Sequence, residues 1–122
     1  MPRIDHVAVE SPDPDRCAAF YERFLGARIV RKEGHPVMAY VEGGGAVAIH
    51  EQNGPGTHIG FRVSEEERAL LHEALDDAGI QHEERDHEIA VGLFFEDPDG
   101  RQLEAITYRG EAYPRMPSSK NA

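Results

Sequence analysis

The order of elements in this chain repeats. A strand, a helix and three strands are predicted between Ile4 and Glu51, and the same series runs again from Thr57 to Tyr108. Such a repeat restricts the fold to two similar modules, each burying its own apolar face. The first module opens with a strand over Ile4 to Glu10. Asp13 caps a helix with Pro14 at its first position, and Gly26 closes it. Cys17, Phe20, Tyr21, Phe24 and Leu25 form the expected apolar stripe of that helix. Strands follow over Ala27 to Lys32, Val37 to Glu42 and Ala46 to Glu51. In the second module Thr57 to Val63 is the opening strand. Ser64-Glu65-Glu66-Glu67 is a capping box, and Gly79 stops the helix it starts. Leu70, Leu71, Ala74, Leu75 and Ala78 are its stripe. Ile80 to Asp86, Val91 to Glu96 and Arg101 to Tyr108 complete the series.

The last two strands are joined by Asp97-Pro98-Asp99-Gly100, a turn in which Pro98 presets φ and Gly100 accepts a positive one. Alternation then puts Leu103, Ala105 and Thr107 on one face, and Gln102, Glu104 and Ile106 on the other. The same rule sets His58, Gly60 and Arg62 opposite the apolar Ile59, Phe61 and Val63. It groups His6 with Ala8 and Glu10, and His50 with Ala46 and Ala48. If each helix covers the apolar face, His6, His50, His58 and Glu104 all project to the opposite side. Imidazoles and a carboxylate held on rigid strands suit a divalent metal: zinc, iron, manganese, cobalt or nickel. Two histidines and one carboxylate leave positions open for water and substrate, which is a catalytic arrangement. With Cys17 as the single cysteine, a thiolate-rich zinc site and an intrachain disulfide are both excluded. Cys17 itself is read as a packed helix residue. His35, His72, His82 and His87 lie in turns, on a helix flank or in a polar strand, and are read as solvated.

At 122 residues the chain is expected to be one domain. The predicted divisions are module one over 3–52, a linker over 53–56, module two over 57–108 and a tail over 109–122. The formal net charge of −10 disfavours partners with phosphate backbones and anionic membrane surfaces. No apolar run is long enough to span a bilayer. The N-terminal residues enter a strand pattern directly, so the expected location is cytoplasmic.

Ile4-Asp5-His6-Val7-Ala8-Val9, Phe20-Tyr21 before Leu25-Gly26, His58-Ile59-Gly60-Phe61, and Phe95-Glu96-Asp97-Pro98-Asp99-Gly100 leading to Leu103-Glu104 resemble the vicinal oxygen chelate superfamily. That superfamily includes glyoxalase I, extradiol dioxygenases, fosfomycin-resistance transferases and bleomycin-binding proteins. The resemblance implies an α+β fold of two βαβββ modules, each a curved mixed sheet with a helix on its convex face. It implies His6, His58 and Glu104 as ligands of one divalent metal, a small-molecule substrate and a homodimer. It implies a lyase, isomerase or dioxygenase in which a metal-chelated substrate passes through an oxyanion, an enolate or bound dioxygen. A metal-free binding protein of the bleomycin-resistance type and a thiol transferase are the alternatives.

The glyoxalase I branch has a further ligand, commonly glutamate, where this chain has His50, or Glu51 if a bulge intervenes. The fosfomycin branch has a threonine where this chain has Ala8, and its basic anchors for the phosphonate are not evident. Tyr40, Tyr108 and His50 are acid–base candidates, and Arg62 is a candidate anchor for a substrate anion.

Overall fold

The computed structural model describes residues 2–53 and 56–109. It contains eight strands and two helices in an α+β arrangement that mixes parallel and antiparallel pairs. The strands are β1 (Arg3–Ser11), β2 (Arg28–Val30), β3 (Val37–Tyr40), β4 (Ala46–Glu51), β5 (His58–Arg62), β6 (His82–Asp86), β7 (Ala90–Glu96) and β8 (Gln102–Tyr108). The helices are α1 (Pro14–Leu25) and α2 (Glu65–Ala78). Each lies second in its series, as the repeat predicts. The expected tail beyond Arg109 falls outside the described residues, as do Gly54 and Pro55 of the linker.

The described residues fall into two compact units, one over Asp5–Thr57 and one of residues 58–109 together with 2–4. In the first, the strands lie in the order β2-β3-β4-β1. β1 runs parallel to β4, and the other neighbours are antiparallel. Local chemistry sets the limits of α1. The Asp13 side chain accepts from the Arg16 amide, and Gly26 ends the helix at φ 66°, where a side chain would be strained. Cys17, Ala18 and Tyr21 pack against Val9, Ile29, Val37, Ala39, Val47 and Ile49. The outer part of the expected stripe does not pack. Phe20, Phe24 and Leu25 are each more than half exposed, because the helix meets the strands along the line of Ala18 and Tyr21. On the other sheet face Ala8, Met38, Tyr40, Ala46 and Ala48 make a second buried cluster of mostly small side chains.

The second unit repeats the plan as β5-β8-β7-β6, with β5 parallel to β8 and antiparallel pairs beyond. α2 carries the capping box as expected. Ser64 Oγ accepts from the Glu67 amide at 3.0 Å, and Glu67 accepts from the Ser64 amide at 2.8 Å. Leu71 and Leu75 pack on Val63, Leu93, Phe95 and Ala105, while Leu70 points to solvent. The Asp97 turn forms as read. The Asp97 carboxylate accepts from the amides of Asp99 and Arg101, each at 2.9 Å, and Gly100 adopts φ 87°.

Arg109, expected to begin the tail, is tied into this unit. Its guanidinium donates to both Asp86 oxygens, at 2.7 and 2.8 Å, and to the Glu88 carbonyl. Arg109, and next the Glu88 amide, hold the Asp86 carboxyl down at about 2. The ionised form is therefore favoured by folding. The stability it lends is full above the ordinary carboxylate range and is lost as pH falls through about 2. In Arg109→Ala, a carbon-detected NMR titration is expected to find the Asp86 midpoint moved up towards the ordinary range. An unmoved midpoint would refute the pairing.

Candidate metal centre

In the second unit the sheet face turned away from α2 carries His58 and Glu104. They sit on neighbouring parallel strands, with Glu104 in register with Gly60 and His58 two residues earlier on β5. Both are buried, at 4% and 3% exposure. His58 Nε2 lies 3.2 Å from Glu104 Oε1. Two donors bound to one ion at the usual nitrogen and oxygen distances stand about 2.9–3.4 Å apart. The pair therefore already has a chelating separation.

Three neighbours shape this pair. Phe94 occupies the register position beside Glu104 on β7, and its ring meets the His58 ring edge-on at 5.5 Å. His87, in the turn between β6 and β7, brings Nε2 to 3.6 Å from Glu104 Oε2 and also meets Phe94 edge-on. Arg85 lies over the same ring at 4.7 Å. Gly92 supplies the space: a β-carbon built there would collide with Glu104 Oε2. Gly92 is absent from the positive-φ glycines, so it is required here for room and not for backbone conformation. Arg62, on the same face, lies half-buried with its guanidinium over the Tyr108 ring at 4.4 Å.

In the first unit His6 is buried beside Asp5, whose Oδ2 lies 2.8 Å from His6 Nδ1. A carboxylate accepts only, so Nδ1 carries the hydrogen and Nε2 carries the lone pair. Register places His6 opposite Ala46 and Ala46 opposite Tyr40, so His6 and Tyr40 share one row of this sheet face. His50 stands opposite Glu10, four residues further along β4. That is about 13 Å from the His6 row. His50 is therefore not brought to His6, and Glu51, at the end of β4, is exposed.

The sequence reading of His58 and Glu104 on one face is thus matched within the second unit. It missed Asp5, His87, Phe94 and Gly92. Of these, His87 was read as solvated. It is partly exposed, yet reaches the Glu104 carboxylate. Phe94 and Gly92 share one face of β7, and the register with β8 sets Phe94 opposite Glu104 and Gly92 opposite Ile106.

The model of the Glyoxalase/Bleomycin resistance protein/Dioxygenase superfamily matches residues 3–105. The chain belongs to this superfamily, whose members include the vicinal oxygen chelate enzymes. The metallothiol transferase FosB of Lysinibacillus sphaericus (strain C3-41) is 29% identical over 117 residues, which are 85% of this chain and 81% of the relative. Methylmalonyl-CoA epimerase from Mycobacterium tuberculosis shares the fold with a TM-score of 0.74 at 18% identity, over 88% of this chain and 89% of that one. The 2,2',3-trihydroxybiphenyl 1,2-dioxygenase of Sphingomonas wittichii strain RW1 does so with a TM-score of 0.67 at 20% identity, over 88% of this chain and 41% of that one. At these identities the two structures speak for the fold alone. Among the described residues no helix is long and apolar enough to cross a membrane.

Proposed function

We propose that this chain is a metal-dependent enzyme acting on a small oxygenated molecule, with His6, His58 and Glu104 as the ligands of one divalent ion. The observation that carries the reading is the buried His58–Glu104 pair at a chelating 3.2 Å. His6 fits as the third ligand because it is buried and Asp5 fixes its tautomer, the usual support for a metal-bound imidazole. Imidazole and carboxylate donors suit zinc, iron, manganese, cobalt or nickel. The bound ion would act as a Lewis acid on adjacent substrate oxygens.

The remaining roles belong to side chains of this chain. Arg62, over Tyr108, offers a cation to an anionic part of the substrate. His87 and Tyr40 are the groups we assign to proton movement, His87 beside Glu104 and Tyr40 in the row of His6. His50, further along β4, would meet only the far end of a longer substrate. Phe94 keeps water from one side of the ligand pair. We further infer that both units form a single domain over 1–122, that the protein acts as a homodimer, and that it works in the cytoplasm.

A thiol-transferase activity is the second reading, favoured by the likeness to FosB across 85% of the chain. Ala8 and the acidic net charge of −10 weigh against a phosphonate substrate and support the first reading.

Tag-free protein purified without added metal or chelator is expected to carry at least about one transition ion per chain, the minimum that a three-ligand site requires. Elemental mass spectrometry reads both amount and identity. Protein that is empty, and stays empty after titration with each candidate ion, would replace the enzyme reading with simple sequestration. Transfer of a low-molecular-weight thiol to fosfomycin by the loaded protein would promote the second reading.

A further inference from the structure

A separate cluster lies on the helix-facing side of the second unit. His72 and Asp76 are one turn apart on α2, and His82 opens β6. His72 Nδ1 lies 3.2 Å from Asp76 Oδ2, and His82 Nε2 lies 3.1 Å from Asp76 Oδ1. The two imidazole rings meet edge-on with centroids 4.6 Å apart. One donor atom from each of the three falls within 4.8 Å of the others. From these residues we infer a second metal site, one that takes a divalent transition ion such as zinc. It shares no residue with the His58–Glu104 centre and does not depend on the function assigned to that centre.

Four observations support it. Each imidazole nitrogen stands 3.1–3.2 Å from its own oxygen of the Asp76 carboxylate, close to the roughly 3.3 Å between two donors on one zinc ion, so the carboxylate can serve an ion that both rings share. His82 already has the support that metal-bound histidines use: its Nδ1 donates to the Ile80 carbonyl at 2.8 Å, which turns Nε2 towards Asp76. The charge around the cluster favours a cation. α2 has no basic side chain in its last turn, although its exposed carbonyls make that end negative. Arg68, the nearby cation, is engaged by Glu84 at 3.6 Å, which leaves Glu73 and Asp76 as the anions. Finally, His72 and Asp76 border a cavity of about 410 Å³, so an ion held there keeps positions for water or a further ligand.

The geometry follows from alternation. In register, His82 stands opposite Phe95 and Glu84 opposite Leu93, and both of those partners pack under α2. His82 and Glu84 are thereby turned towards the helix. Binding would tie the end of α2 to β6 across the turn at Gly79.

The test uses tag-free Glu104→Ala protein, so that the His58–Glu104 centre cannot supply the signal. Zinc is titrated while the imidazole nitrogens are followed by proton–nitrogen correlation NMR, with a chromophoric chelator as competitor. Zinc is expected to move the ring signals of His72 and His82, to bind at a single equivalence point, and to raise the melting temperature. Asp76→Asn in the same background should weaken binding more than roughly tenfold, and so should His82→Ala. Ring signals of His72 and His82 that stay in place at saturating zinc would overturn the site. So would an affinity untouched by both substitutions. The wild-type chain gives the same readout if the background variant folds poorly, because the NMR signals are residue-specific.

Discussion

Glu104→Ala is expected to lose the ion of the His58–Glu104 centre while leaving its fold in place. Glu104 contributes the single carboxylate of the proposed set, and it is buried opposite the face that packs on α2. Its loss removes the anionic ligand, and the affinity should fall on the order of a hundredfold or more, since even a supporting partner of a ligand costs ten- to a hundredfold. Some stability should go with it, because removing one member of a buried charged pair leaves the other without its partner. A buried carboxylate is costly to desolvate, so deleting it relieves that cost while His58 loses its partner. Elemental analysis after gel filtration reads the metal, and a far-ultraviolet melting curve reads the fold. A variant that keeps a wild-type metal content would remove Glu104 from the ligand set.

The second large effect is expected from one methyl group. Gly92 faces Glu104 across β7 and β8, and a β-carbon at that position collides with the carboxylate. The backbone of Gly92 suits any residue, so Gly92→Ala adds no conformational strain. The whole effect must come from displacement. Either the carboxylate swings away from His58, which lowers metal affinity by tenfold or more, or the strand shifts at an overpacking cost of about 1–3 kcal/mol. Both are measurable by metal competition and by thermal melting. The double variant Gly92→Ala with Glu104→Ala should be no worse in metal binding than Glu104→Ala alone, because the group the methyl displaces has gone. Wild-type affinity in Gly92→Ala together with an unchanged melting temperature would show that the methyl displaces nothing, and would refute the crowding of Glu104 by Gly92.

Much of the fold was legible because its punctuation is local. Asp13, Ser64 with Glu67, Gly26 and Gly79 act within a few residues of themselves, so the limits of both helices could be read directly. His58 and Glu104 were legible for a related reason: each sits in a strand whose alternation is clear. Phe94 was not, because Ala90 to Phe95 is almost continuously apolar and hides its own period. His87 lies in a turn, where no period applies. Asp5 was assigned by alternation to the other face from His6, yet its carboxylate reaches the neighbouring ring. The exposed Phe20, Phe24 and Leu25 show the reverse error, since apolar spacing reports what a helix can bury and not how much the sheet beneath it covers. His72 and Asp76 are neighbours by their spacing on α2, but His82 needed the register of β6 on β7 before it met them.

Among the described residues, strand β6 ends its sheet order with β7 as its one partner. A strand in that position is a template on which another chain can add by backbone pairing. Here the template is HEERD. An in-register stack of such strands would set Glu83, Glu84, Arg85 and Asp86 each against its own copy, and like charges in that arrangement repel. Self-templated growth in parallel register from this edge is thereby opposed at four of the five residues of β6. Concentrated solutions of the protein should stay free of fibrils stacked in parallel register on this edge near neutral pH.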